Sequence, residues 1–263
     1  MPQSRELSFA IDVCKQAGEI AMRHFKAGVD ARTKADGSPV TVADRQCEQL
    51  IRREIAACFP GDDILGEEEG GSFEPHSRRK WIIDPIDGTY NYARGIPIFS
   101  TLLALEQAGE IVVGVVHAPA VGDTYWAETG GGAHKNGQRI SVSDCADLSC
   151  AQISYGSPAR ILSLGYWEGF TRLVGSTYRQ RGLGDYLTFA LVCEGKAEAG
   201  LEVGVSPWDL APMKILTEEA GGRYSDLAGG QSVYTGSCLV SNPAVHEPIL
   251  KLLTENYRRP GHK

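Results

Sequence analysis

An α/β protein of two joined subdomains is predicted by three observations. The first 60 residues carry helical periodicity, the stretch from 81 to about 142 alternates as strands do, and after about 143 helical and strand patterns take turns. The expected subdomains are residues 1–142, two helices plus an antiparallel sheet, and residues 143–263, an alternating α/β half.

The helical reading rests on spacing. Leu7, Ala10, Ile11, Cys14, Ala17, Ala21 and Phe25 recur at three- and four-residue steps, as do Ala43, Cys47, Leu50, Ile51, Ile55 and Cys58. Lys34 to Pro39 is a turn-rich connection between them, and Gly61 after Phe59-Pro60 closes the second helix. Trp81-Ile82-Ile83 reads as a short buried strand stopped by Pro85. Leu102–Glu106 and Ile111–His117 flank the hairpin signal Ala108-Gly109, Asp123–Glu128 continues the meander, and Asn136-Gly137 marks a further tight turn. Beyond 143, Gln152–Tyr155 reads as strand and Arg160–Val174 as helix. A helix over Tyr186–Glu194, a strand over Ala197–Val203, a helix over Pro207–Ala220 and a strand over Cys238–Asn242 follow, before a last helix.

Composition narrows the function. With 22% charged and 42% hydrophobic residues the chain is globular rather than disordered, and no apolar run reaches the roughly 20 residues that span a bilayer. The polar start, Met1 to Glu6, carries no signal-peptide pattern. Seven scattered cysteines without a Cys-x-x-Cys pair fit a reduced, cytoplasmic protein and neither a disulfide framework nor a zinc site. A net charge of −7 without a basic stripe argues against nucleic acid as partner, though not against an anionic substrate if the acids gather around divalent cations.

Acidic residues fall where elements begin or end. Asp84 follows a buried-type strand, Pro85 turns the chain, Asp87 comes three residues on, and Gly88-Thr89 follows. Two carboxylates and the Ile86 carbonyl pointing at one spot make an oxygen set of the kind Mg²⁺ favours. Gly88-Thr89 opens a short helical pattern toward Arg94, with backbone N–H groups suited to a phosphate; an ordinary N-cap threonine is the bland alternative. Glu68 and Glu69 read as solvated turn residues, and Asp209 in Ser206-Pro207-Trp208-Asp209 reads equally as an acid in a helix's first turn. His24 and His117 read as packed or surface residues, and Gly130-Gly131-Gly132 as a turn.

The run Trp81 to Thr89, continued by Asn91, Gly95, Pro97 and Ser100, resembles the first signature of the inositol monophosphatase-like family. Trp208-Asp209-Leu210-Ala211 with Glu219-Ala220-Gly221-Gly222 resembles its second, Gly66-Glu67-Glu68 its upstream metal-ligand motif, and Pro39-Val40-Thr41 to Asp44 its second-helix motif. The resemblance implies a layered α/β/α/β/α sandwich of the inositol monophosphatase/fructose-bisphosphatase type. It also implies a homodimer with two or three Mg²⁺ where the subdomains join. Glu67, Asp84 and the Ile86 carbonyl would hold a first ion, and Asp84, Asp87 and Asp209 a second, with Asp84 bridging. Glu67 with Thr89, itself held by Asp44, would position the attacking water.

One segment departs from the inositol-specific pattern. Arg181-Gly182-Leu183-Gly184-Asp185-Tyr186, with Glu202 and Ser206 to Leu210, resembles the histidinol-phosphate phosphatases of the family. Histidinol phosphate carries an ammonium and an imidazole, for which Asp185 and Glu202 are apt partners, with Arg181 near the phosphate or paired with an acid. The substrate-binding set then comprises Asp87, Gly88, Thr89, Arg181, Asp185, Glu202 and Asp209. Inositol phosphate is the alternative ester. Fructose 1,6-bisphosphate and nucleotide bisphosphates are weaker alternatives, because the chain shows no additional basic cluster for a second phosphate, and a catalytically idle metal-binding regulator is disfavoured because every expected ligand is present.

Overall fold

The computed structural model describes residues 3–28, 31–33, 39–71, 78–255 and 257; positions 34–38 of the expected turn-rich connection lie outside them. The chain divides into two compact units, Met1–Arg139 and Ile140–Lys263.

The first unit contains α1 (Arg5–Ala27), the strands β1 (Ala31–Thr33) and β2 (Pro39–Thr41), and α2 (Val42–Cys58). It continues through β3 (Asp63–Gly66), β4 (Gly70–Gly71), β5 (Arg79–Asp87), the one-turn α3 (Thr89–Ala93), β6 (Ser100–Gln107), β7 (Glu110–Ala118), β8 (Asp123–Glu128), β9 (His134–Lys135) and β10 (Gln138–Arg139). α1 starts where the Ser4 hydroxyl accepts the Leu7 N–H at 3.1 Å, and α2 where Thr41 caps Ala43 and Asp44. Both helices lay their apolar faces on one side of an eight-stranded sheet of order β10-β9-β8-β7-β6-β5-β3-β4. Trp81, Ile83, Leu103, Leu105, Val113 and Val115 form the sheet side of that core. Each such fully buried apolar side chain stabilises by about 1.5–3 kcal/mol. The β6–β7 turn has φ of 54° at Ala108 and 88° at Gly109, and the β9–β10 turn 50° at Asn136 and 85° at Gly137, the positive pair a primed two-residue hairpin needs.

The second unit contains a 3₁₀ turn (Leu148–Cys150), β11 (Gln152–Tyr155), α4 (Pro158–Ser163), α5 (Trp167–Ser176), β12 (Arg179–Arg181) and α6 (Asp185–Cys193). β13 (Ala199–Val203), α7 (Pro207–Glu219), β14 (Arg223–Ser225), β15 (Ser237–Ser241) and α8 (Pro243–Thr254) complete it. Its five-stranded sheet has the order β12-β11-β13-β15-β14, with β11 parallel to both neighbours and β15 antiparallel to both of its own. Ile153, Phe170, Leu173, Leu201, Leu239, Val245, Ile249 and Leu253 make its core.

Two expectations need correction. The helix read over Arg160–Val174 is two helices, because Gly165 takes φ 85° after α4 and redirects the chain. The strand before Asp84 does not stop at Pro85; β5 runs on to Asp87 through an irregularity. Proline is tolerated there because a bulge leaves a residue outside the hydrogen-bond ladder.

Candidate active site

That irregularity builds the first half of the site. Asp84 pairs with Leu102 and Asp87 with Ser100, so three steps along β5 face two along β6. Strand side chains alternate faces, and an odd spacing of three would normally send the two carboxylates to opposite sides. The extra residue cancels the mismatch, and Asp84 and Asp87 share the face of Leu102 and Ser100. Each offers a carboxylate oxygen within 4.8 Å of the other, and both are buried, at 2% and 7% exposure. The Ile86 side chain goes into the helix-covered core while the Ile86 N–H bonds Asp84 Oδ1 at 3.0 Å. The Thr101 hydroxyl donates to the Pro85 carbonyl at 2.9 Å, and Ser100 makes a long contact of 3.4 Å to Asp87 Oδ2.

Glu67 arrives through β3, a strand that sequence reading missed because Asp63-Ile64-Leu65-Gly66 is too short to show alternation. β3 runs parallel to β5 with Gly66 opposite Ile83, and the Glu67 N–H bonds the Ile83 carbonyl at 3.2 Å. Glu67 therefore stands beside Asp84 at the same end of the sheet. Asp44, on the first turn of α2, is fully buried and accepts the Thr41 N–H at 2.8 Å and hydroxyl at 2.6 Å. Burial pushes its carboxyl up to about 6; the bonds from Thr41 oppose this, and the Glu67 charge adds to it. The Thr89 hydroxyl lies 3.4 Å from Asp44 Oδ1 and 2.9 Å from the Ile86 carbonyl. Its single proton serves the shorter contact. Gly88 precedes α3 at φ 82°, a left-handed conformation that glycine adopts without strain.

The second unit carries three further candidate acids. Asp209 is the third residue of α7, and its Oδ2 accepts the Ser206 N–H at 2.7 Å, as the capping reading expects. Asp185 opens α6 at φ 51°, an uncommon left-handed value for a non-glycine residue. Burial pushes its carboxyl up to about 6, against the pull of the Arg160 guanidinium. Glu202, on β13, is 6% exposed, and its Oε1 has no hydrogen-bond partner. Burial, then the charges of Asp185 and Asp209, push it up to about 8, opposed by Arg160 and a bond from Thr188. Gly156 leaves room for it, since a Cβ there would overlap the Glu202 carboxylate and displace it. Arg181 ends the exposed strand β12 and donates to the Gln180 carbonyl at 2.7 Å. Arg160 and Thr188 escaped sequence reading because neither lies in a recognisable motif.

His24 bonds Gln46 at 2.8 Å and His117 bonds Thr124 at 2.9 Å, so each has a local structural partner. Among the described residues no helix is long and apolar enough to cross a membrane.

A bulged strand presenting paired carboxylates and a backbone carbonyl, on a mixed α/β scaffold, defines a protein able to hold a divalent cation through hard oxygen donors. The inositol monophosphatase family matches residues 3–258, and the chain belongs to it. It is a phosphomonoesterase, of a family that acts on small phosphate esters. The chain is 40% identical to a histidinol-phosphatase of Mycobacterium tuberculosis over 94% of its own length and 97% of that protein's. It is 37% identical to a fructose-1,6-bisphosphatase/inositol-1-monophosphatase of Thermotoga maritima over 98% and 99%. Among solved structures, a Thermotoga maritima IMPase superposes with a TM-score of 0.87 at 34% identity, covering 96% of this chain and 98% of that one.

Proposed function

We propose that the chain hydrolyses histidinol phosphate in a Mg²⁺-dependent reaction. The observation that carries the choice of ester is Glu202, a buried carboxylate with one oxygen unpartnered and Asp185 in electrostatic reach. Burial and mutual repulsion make negative charge on the two carboxylates costly, so the pair favours a cationic ligand. Histidinol phosphate brings an ammonium and an imidazole, whereas inositol phosphate brings neutral hydroxyls. The name of the Mycobacterium relative supports the same choice. Inositol 1-phosphate is the second reading, favoured by the name of the Thermotoga relative.

The donor set fits Mg²⁺, because carboxylates and a carbonyl are hard oxygen ligands. In this reading Glu67, Asp84 and the Ile86 carbonyl would hold one ion, and Asp84, Asp87 and Asp209 would hold another. Bound Mg²⁺ neutralises phosphate oxygens and makes water a better nucleophile at neutral pH. Glu67 and Thr89, with Asp44 beside them, orient the attacking water, and Glu67 takes its proton. Gly88 and Thr89 would bind the phosphate, Asp87 and Asp209 would serve it by holding the cation, and Arg181 would add positive charge. Asp185 and Glu202 receive the cationic end of the ester. The free state of all seven cysteines suits a cytoplasmic setting, and a homodimer follows from the family resemblance.

The test is kcat/KM for histidinol phosphate, inositol 1-phosphate and fructose 1,6-bisphosphate, with and without Mg²⁺. Histidinol phosphate should lead by about tenfold or more, on the scale of one charge-assisted contact. Equal or reversed ranking overturns the ester assignment, and no metal-dependent release at millimolar ester overturns the reaction.

A further inference from the structure

Glu67 sits at the start of a run of three acids, Glu67-Glu68-Glu69, between β3 and β4. Mutual repulsion would splay such a run, yet the turn is tied down from beneath. Glu48, one turn beyond Asp44 on α2, is fully buried. Its Oε2 accepts the Glu68 N–H at 2.7 Å and its Oε1 the Glu69 N–H at 3.1 Å. Arg52, one further turn along α2, donates from Nε to Glu48 Oε1 at 2.8 Å, and from Nη2 to the Gly70 carbonyl. The same guanidinium lies 3.6 Å from the Glu69 carboxylate. The fit is close enough that a Cβ at Gly66 would overlap Glu48 Oε1.

The consequence for Glu67 is geometric. Its own N–H is fixed to the Ile83 carbonyl, one residue before Asp84, and the next two N–H groups are fixed to Glu48. The backbone carrying the Glu67 side chain is therefore held on both sides. A neutral acceptor could take only one of those N–H groups well, while a carboxylate takes both. The buried carboxylate in turn needs a cation, and Arg52 supplies one through a planar fork that also reaches the turn's far end.

We propose that Glu48 and Arg52 are positioning residues that hold Glu67 in its metal-binding pose, an inference that rests on the reading of Glu67 as a metal ligand. They set how tightly the site takes up the divalent cation, more than how fast the loaded site turns over. Groups that orient metal ligands contribute about 10- to 100-fold to affinity.

Two readouts on the full chain test this: the Mg²⁺ half-saturation of p-nitrophenyl phosphate hydrolysis, and Mn²⁺ binding followed by electron paramagnetic resonance without ester. Glu48→Gln should raise both half-saturation and the Mn²⁺ dissociation constant about tenfold. The KM for the ester at saturating Mg²⁺ should shift far less. Arg52→Lys keeps the charge and loses the fork; it should move both readouts the same way by a smaller factor, and it supplies the test should Glu48→Gln fail to fold. Glu67→Gln serves as reference. If Glu67→Gln weakens Mn²⁺ binding while folded Glu48→Gln and Arg52→Lys leave it at the wild-type value, the clamp is wrong and the ligand reading stands. If Glu67→Gln itself leaves Mn²⁺ binding unchanged, the ligand reading fails and the clamp with it.

Discussion

Asp84, Asp44 and the Glu67 backbone of the first unit are held differently from Glu202 of the second. Asp84 receives the Ile86 N–H, Asp44 receives two groups of Thr41, and the backbone around Glu67 is pinned to Ile83 and Glu48. Glu202 in the second unit keeps one oxygen without a partner, and Asp185 sits at a strained φ of 51°. Donors from the chain fix where the Asp84 and Asp44 carboxylates lie, the positioning that preorganised chemistry requires. A buried carboxylate with one oxygen unpartnered responds to the ligand that arrives beside it, an arrangement that discriminates between ligands. On the proposed assignment, turnover and ester choice should respond to different substitutions.

The largest effect should come from breaking the preorganised side. Asp84→Asn keeps the shape of the β5 bulge but removes a charge that the proposed reaction uses twice. Metal-dependent phosphate release should fall by about 10³-fold, the scale of losing one transition-state electrostatic group. A circular dichroism spectrum like the wild type's would show that the fold survived, and retained turnover would refute the bridging role. On the selective side, Glu202→Gln should raise KM for histidinol phosphate by about 10- to 100-fold, equivalent to about 1.5–3 kcal/mol for a charged contact, and leave inositol 1-phosphate nearly unaffected.

The same substitution has a signature in stability. The Glu202 carboxyl is raised from 4.5 to about 8 by burial, so the folded chain binds its proton more tightly than the unfolded chain does. That contribution is fully present below about pH 4.5 and is lost as pH rises through about 8. Without metal or ester, Glu202→Gln should therefore gain several degrees in Tm over wild type at pH 9 and almost none at pH 4, measured by scanning calorimetry. A gain independent of pH would contradict the buried, charge-averse environment. The smallest effect belongs to Ser100→Ala, which gives up only a 3.4 Å contact to Asp87 and should change Mg²⁺ half-saturation by about twofold or less.

The sequence carried some of this architecture openly and hid the rest. α1, α2 and the β6–β7 hairpin are legible because their apolar spacing and turn residues agree with the burial they achieve. β3, β12 and β14 are three or four residues long and take their strand character from neighbours rather than from alternation. Pro85 reads as a stop because proline breaks a regular ladder, and only the pairing with β6 reveals a bulge that places two acids on one face. The candidate site's acids stand out through motif order along the chain. Glu48, Arg52 and Arg160 were not, because their roles depend on contacts with residues about 18 to 42 positions away, which no local pattern records.

The proposed division between metal binding and ester choice is tested most directly by one ratio: kcat/KM for histidinol phosphate over that for inositol 1-phosphate, in wild type and Asp185→Asn, at saturating Mg²⁺. The account predicts that the ratio falls by about tenfold or more in the variant while the Mg²⁺ half-saturation stays at the wild-type value. Equal losses on both esters, or a shifted metal half-saturation, would contradict it.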